Sequence, residues 1–163
     1  MIVIGFDPGS IIFGVGILKK ENDRISCLYS EEIKLQEKDF YTKMKVLWQR
    51  LEVLYQKFPI DCAAIEEGFL GKNVKSMNVL STVRGVVLGS LLSRDIELKF
   101  YSPRAVKLAL TGFGNASKSQ VGNMVNILLN LNPKTSSLGA DESDALAVAF
   151  CHLMSIKPGG MEL

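Results

Sequence analysis

The clearest strand patterns lie at residues 2–34, IVIGFDPGSIIFGVGILKKENDRISCLYSEEIK. Three runs rich in β-branched and aromatic residues, 2–6, 12–19 and 25–34, are separated by the turn sequences DPGS and KENDR. This pattern predicts three consecutive antiparallel strands. The first run is apolar apart from Gly5. A strand of that kind is buried on both faces, so we expect it at the centre of the sheet.

The remainder of the chain alternates between helical and strand patterns. Residues 40–57 carry apolar side chains at spacings of three and four, which predicts an amphipathic helix: Met44, Leu47, Trp48, Leu51 and Leu54. Further strands are predicted at 61–67 and 96–102, and further helices at 74–93, from Pro103, from about Ser117 and from about Asp141. A strand meander followed by alternating helices and strands indicates an α/β fold, a five-stranded mixed sheet flanked by helices.

Length and composition favour one domain. The chain has 163 residues, of which 47% are hydrophobic, and we expect a single domain over 1–157 with a short tail over 158–163. Its apolar runs are shorter than the ~20 residues of a membrane span. Three cysteines without CxxC spacing and a single histidine support neither a disulfide framework nor a zinc site. A cytoplasmic protein with no membrane association is therefore expected.

The net charge of +2 hides an uneven distribution. Between Gly68 and Ala140 there are nine Lys or Arg residues against two acids, Asp95 and Glu97, a local charge of +7 that leaves −5 for the rest of the chain. Such a basic segment predicts a surface for a polyanion. A solvated basic face would explain the same charges.

Two acids follow buried strands. Asp7 ends the first strand and Glu66 ends the strand at 61–67, and these strands are neighbours if the first is central. Buried carboxylates that lie close together need a cation or become protonated. The alternatives are that Asp7 caps the DPGS turn and that Glu66 merely ends its strand.

Two further acids start the last helix. Asp141 and Asp144 are three residues apart in ADESDALAVAF, 140–150, so they share one helix face. Asp141 could instead be the helix N-cap. Together with Asp7 and Glu66 they offer the oxygen ligands that Mg²⁺ or Mn²⁺ prefers, and two such ions can hydrolyse a phosphodiester. Carboxylates beside a basic surface predict a nuclease.

Five stretches resemble the RuvC family of bacterial Holliday junction resolvases, in the family's order and spacing: GFDPGSIIFGVGIL at 5–18, AAIEEGFLGKN at 63–73, RGVVLG at 84–89, VKLALTGFGNASKSQVGNMV at 106–125 and ADESDALAVAF at 140–150. The resemblance implies a ribonuclease H-like fold, a homodimer and metal-dependent symmetric nicking of four-way DNA junctions in recombination and repair. It also implies partnership with a branch-migration motor, for which we identify no residue in the sequence.

The resemblance also assigns residues. The family's acidic positions fall on Asp7, Glu66, Asp141 and Asp144, which implies that they hold one or two Mg²⁺ ions per subunit, with Mn²⁺ as a substitute. Some relatives carry His at the position of Asp141. The family's basic positions near the chemistry fall on Lys107 and Lys118, where an ammonium group would bind the scissile phosphate.

Other DNA contacts are expected along the basic segment. Phe69 would stack on or wedge between bases at a branch point, although it could equally be a core residue. The remaining expected contacts are Lys72, Asn73, Lys75, Arg84 and Arg104. The helix at 74–93 has more apolar surface than one sheet face needs, which favours a dimer.

Two rival functions are an NTPase and a DNA-binding module without nuclease activity. The sequence GFGNASKS at 112–119 has P-loop-like spacing, but Ser117 stands where a P-loop has Gly and a helix precedes it instead of a strand, so an NTPase is excluded. A module that binds branched DNA without cutting it remains the alternative, and retention of all four acids argues against it.

Overall fold

The structure is a computed structural model that describes residues 1–37, 39–67, 74–131 and 138–156, without the side chains of 74–76. The predicted elements are confirmed, with ends shifted by a residue or two. They are β1 Ile2–Asp7, β2 Ile12–Glu21, β3 Arg24–Lys34, α1 Phe40–Lys57, β4 Cys62–Glu66, α2 Val74–Leu92, β5 Glu97–Tyr101, α3 Pro103–Thr111, α4 Lys118–Leu128 and α5 Ala140–Ser155. The tail expected at 158–163 lies outside the described residues.

The five strands form one mixed sheet in the order β3-β2-β1-β4-β5. The first three strands are antiparallel, whereas β4 runs parallel to both β1 and β5. The prediction of a central β1 is therefore confirmed. Because β1 and β4 are parallel, their carboxyl ends meet at the same edge of the sheet.

Side chains of β1 alternate between two cores. Val3 packs with α3, α4 and α5 on one face, whereas Ile4 and Phe6 pack with α1 and α2 on the other. Helix α5 lies directly on β1, since a Cβ atom on Gly5 would come within 2.1 Å of the Ala145 carbonyl oxygen. The alternation sends Asp7, two residues after Gly5, to the α5 face.

The opposite face carries α1 and α2. Helix α1 buries Met44, Leu47, Leu51 and Leu54. Trp48, the other apolar residue at this spacing, is 37% exposed and lies at the edge of the helix pair beside Gly89. Among the helices that the structure describes, none is both long and apolar enough to cross a membrane.

Candidate active site

Two strand ends and one helix start form the site. Phe6 is paired with Ile65 in the parallel ladder, so the next residues, Asp7 and Glu66, end these neighbouring strands side by side. Ala64 packs in the core of α5, and the two-residue period places Glu66 on that same face. The structure thus brings both strand-end carboxylates beneath the first turn of α5.

The backbone N–H groups at the start of α5 are satisfied by acids other than Asp141. Gly139 is the N-cap residue, and its N–H donates to Glu142 Oε2 at 2.8 Å. The N–H of Asp141 donates to Glu32 Oε1 of β3 at 3.3 Å. The alternative in which Asp141 caps the helix is therefore wrong, and the carboxylates of Asp141 and Asp144 are left for the site.

Asp7 is the most perturbed of the four acids. Burial, followed by the charges of Asp144 and Asp141 and a hydrogen bond to the Asp141 carboxyl, raises the pKa of Asp7 to about 7, and Lys118 only partly opposes this shift. The neutral carboxyl is favoured at Asp7, because the neighbouring carboxylates repel its negative charge. The cluster therefore lacks positive charge, a deficit that a cation would fill.

Glu66 shares this environment. Burial and the charge of Asp144 raise its pKa, whereas Lys107, Lys118 and Arg84 act in the opposite direction. The guanidinium of Arg84 also donates to the Glu66 carbonyl oxygen at 2.9 Å. Arg84 thus supports the end of β4 as well as carrying charge.

Lys118 is the first residue of α4 and reaches across to α5. A capping box fixes the helix start, because Ser117 Oγ accepts from Gln120 N at 3.2 Å and Gln120 Oε1 accepts from Ser117 N at 2.8 Å. Lys118 Nζ lies 2.6 Å from Asp144 Oδ2, and its side chain is 68% exposed. Its hydrogen bond to Asp144 raises the pKa of Lys118, which keeps it cationic at neutral pH.

A cavity of about 290 Å³ opens beside these groups. Two acids and two lysines line its polar wall, Glu66, Asp144, Lys107 and Lys118. One valine each from α3 and α4 lines its apolar wall, Val106 and Val121. Lys107 is half-buried in this wall. The cavity therefore places both ammonium groups next to the carboxylates.

The other predicted DNA contacts are less completely described. Arg104 is exposed at the start of α3, with its aliphatic carbons lying over Gly114. Lys75 lies in α2 but its side chain is outside the described set. Phe69, Lys72 and Asn73 lie outside the described residues.

The donor set fits a hard divalent ion, although the side chains are not yet arranged around one. Within the described ranges, no three His, Cys, Asp or Glu side chains converge closely enough to enclose a metal. Asp144 is engaged by Lys118, and Asp7 by Asp141. Their carboxylate oxygens are nevertheless the ligand type that a hard divalent ion prefers.

Sequence reasoning missed Glu32 and Glu142. Glu142 had a readable signal, since an acid at the third helical position commonly answers the N-cap. Glu32 had no local signal. Its contact with α5 depends on the pairing of Glu32 with Gly14 between β3 and β2, which spacing along the chain does not reveal.

Comparisons with known proteins agree with this geometry. The family described as crossover junction endodeoxyribonuclease RuvC matches residues 3–152. Proteins of that name from Christiangramia forsetii and Bacteroides fragilis are 41% and 35% identical, covering 93% and 99% of this chain and 78% and 86% of the relatives. A solved structure of T. thermophilus RuvC in complex with a Holliday junction substrate superposes with a TM-score of 0.84 at 25% identity, over 94% of each chain. The chain belongs to the RuvC family of crossover junction endodeoxyribonucleases.

Proposed function

We propose that this chain resolves Holliday junctions by metal-dependent hydrolysis, nicking two strands symmetrically as a homodimer. The observation that carries the proposal is the meeting of Asp7 and Glu66 with the first turn of α5 beneath two lysines. Membership of the RuvC family supports the reaction, and the T. thermophilus relative was solved with a junction substrate.

The acids would hold the metal. Asp7, Glu66, Asp141 and Asp144 supply the oxygen ligands that Mg²⁺ prefers, with Mn²⁺ as a substitute, and one or two ions per subunit are proposed. When bound, such ions activate a water and stabilise the leaving oxygen of a phosphodiester. The ion would compete with the proton that the raised pKa of Asp7 favours and with Lys118 for the Asp144 carboxylate.

The lysines would hold the phosphate. Lys118 is 68% exposed and, once released from Asp144, is free to reach a phosphate oxygen. Lys107 lines the same cavity from α3. Two ammonium groups beside the scissile phosphate bind the ground state and offset charge that develops during the reaction. Phe69, Lys72, Asn73, Lys75, Arg84 and Arg104 remain proposed contacts to the junction arms.

The dimer is proposed through the outer face of α2. The apolar surface of α2, which favoured a dimer in the sequence analysis, is largely used in the monomer core, since Val83, Val87 and Leu91 are fully buried. The opposite face presents Leu88 at 41% exposure and Leu92 at 66% exposure. A two-fold contact there would cover both leucines and supply the paired sites that a four-way junction requires.

The cellular location and one possible partner are inferred from the family alone. A junction substrate implies action on chromosomal DNA, so a cytoplasmic location is proposed. Partnership with a branch-migration motor stays an expectation of the resemblance.

A labelled synthetic four-way junction tests the function against a linear duplex of matched sequence, each with Mg²⁺ and with chelator. The proposal expects paired symmetric nicks in the junction alone, and only with metal. Junction binding without nicks would favour the non-cleaving module. Equal cutting of the duplex would indicate a nuclease without junction selectivity.

A further inference from the structure

Three residues form a row across β1, β2 and β3. Asp7 is paired with Gly14, and Gly14 is paired with Glu32. Cross-strand partners point to the same face of a sheet, so both acids face α5. A gap lies between them over Gly14, which has no side chain.

The backbone of Asp141 fills this gap. A Cβ atom on Gly14 would lie 2.1 Å from the Asp141 carbonyl oxygen and 3.1 Å from its Cβ, so a side chain at this position is excluded. The first turn of α5 therefore rests on bare β2 backbone, with Asp7 on one side and Glu32 on the other.

Asp141 lies between two acids. On one side is Asp7, the β1 partner of Gly14. On the other side, Glu32 Oε1 accepts from its backbone N–H at 3.3 Å. Glu32 also lies over Gly139, where a Cβ would come within 1.9 Å of Oε1.

The carboxylate of Glu32 adds electrostatic repulsion with the carboxylates of the acidic cluster. The helix N-terminus offsets that cost, since its N–H groups and dipole stabilise a negative charge. Glu142 already serves the N–H of Gly139. The contact that Glu32 adds is specific to the residue whose side chain enters the site.

We propose that Glu32 is a positioning residue for metal binding: by accepting from the Asp141 N–H, it anchors the backbone that carries the Asp141 carboxylate beside Asp7. The inference rests on the proposed function in taking Asp141 as a ligand. Glu32 acts through Asp141 and touches neither the ion nor DNA. Such supporting contacts typically contribute about 10-fold to 100-fold in metal affinity.

Four variants of the full chain separate positioning from simple helix capping. Glu32→Ala removes the contact, and Glu32→Gln keeps an oxygen that can accept from Asp141. Gly139→Ala places a methyl group against Glu32 Oε1 and displaces it without altering Glu32 itself; the backbone tolerates alanine because φ at Gly139 is −63°. Glu142→Ala is the matched control, since it removes the other acid that accepts from a backbone N–H at the start of α5.

Two measurements are made, Mn²⁺ affinity by calorimetry without DNA and amide exchange of Asp141 by NMR. We expect Glu32→Ala and Gly139→Ala each to weaken Mn²⁺ about tenfold and to speed Asp141 exchange. Glu32→Gln is expected to lose less than about threefold, and Glu142→Ala to leave Mn²⁺ affinity nearly unchanged. The double variant Glu32→Ala/Gly139→Ala should be no weaker than either single one.

Failure of the proposed function and failure of the inference about Glu32 would give different results. Wild-type protein that binds no Mn²⁺ would overturn the proposed function and this inference with it. Wild-type binding that Glu32→Ala leaves unchanged would overturn the inference alone, as would equal losses in Glu32→Ala and Glu142→Ala. If Glu32→Ala does not fold, Gly139→Ala with normal Mn²⁺ affinity and faster Asp141 exchange has the same consequence.

Discussion

Lys118 Nζ lies 2.6 Å from Asp144 Oδ2, joining the start of α4 to the first turn of α5. The ammonium group occupies a carboxylate that the proposed ion also needs. In the proposed reaction Lys118 would have two partners, Asp144 before the metal binds and a phosphate afterwards. The two roles predict opposite effects of its removal on metal binding and on cleavage.

Lys118→Met is expected to slow junction cleavage by about 10²-fold at saturating metal, because a cation beside the phosphate is lost. The metal concentration at half-maximal rate should stay the same or fall, since Asp144 loses its competing partner. Single-turnover cleavage over a Mg²⁺ titration measures both values. Lys45→Met, an exposed lysine on α1, is the control. A large rise in the Mg²⁺ requirement of Lys118→Met would contradict the assignment.

Asp7→Asn is expected to reduce cleavage below about 10⁻³ of the wild-type rate while leaving junction binding nearly unchanged. Without metal, the same variant should melt at a higher temperature than wild type at pH 8, because an ionised acid in a repulsive, partly buried site is removed. Thermal melting and an electrophoretic binding assay check this prediction. A lower melting temperature together with lost binding would make Asp7 structural.

The pKa of Asp7 predicts the pH dependence of metal-free stability. This pKa is about 7 in the folded protein, against an ordinary value of 3.8 for an aspartic acid, so the native state binds more protons than the unfolded state between these values. Stability should therefore fall as pH rises from about 4 to about 7 and then level off. Denaturant titrations across this range measure the slope, and Asp7→Asn should flatten it. Saturating Mg²⁺ should recover stability above pH 7, because the ion replaces the proton.

Leu92→Asp tests the proposed dimer face. Leu92 is 66% exposed, so the monomer should keep its stability within about 0.5 kcal/mol. Sedimentation should nevertheless shift from dimer to monomer, and paired nicking should give way to single nicks. Ile127→Asp, an equally exposed apolar residue on α4, is expected to remain dimeric. If Leu92→Asp remains dimeric, the dimer interface lies on another surface of the protein.

The fold could be predicted because each strand and helix has a strong local pattern. The unbroken apolar run before Asp7 indicates a strand buried on both faces, and the meander with alternating elements leaves few arrangements. Once β1 is central and parallel to β4, the meeting of Asp7 with Glu66 follows. Trp48 differs because spacing alone cannot say where a buried stripe ends on a helix packed against a second helix.

The details of α5 could not be predicted from local patterns. Asp141 has the chemistry of an N-cap, but Gly139 is the N-cap residue of α5. Glu32, 109 residues away, takes the N–H that a local reading assigns elsewhere. That contact depends on strand register and on the missing side chain of Gly14, which are properties of the assembled sheet.

Anomalous diffraction from crystals of the full chain soaked in Mn²⁺ shows whether the four carboxylates hold the catalytic metal. We expect an anomalous peak among Asp7, Glu66, Asp141 and Asp144, with Lys118 withdrawn from Asp144. If wild-type protein cleaves junctions with Mn²⁺ yet shows no peak there, or binds Mn²⁺ at another site alone, these carboxylates do not form the metal site.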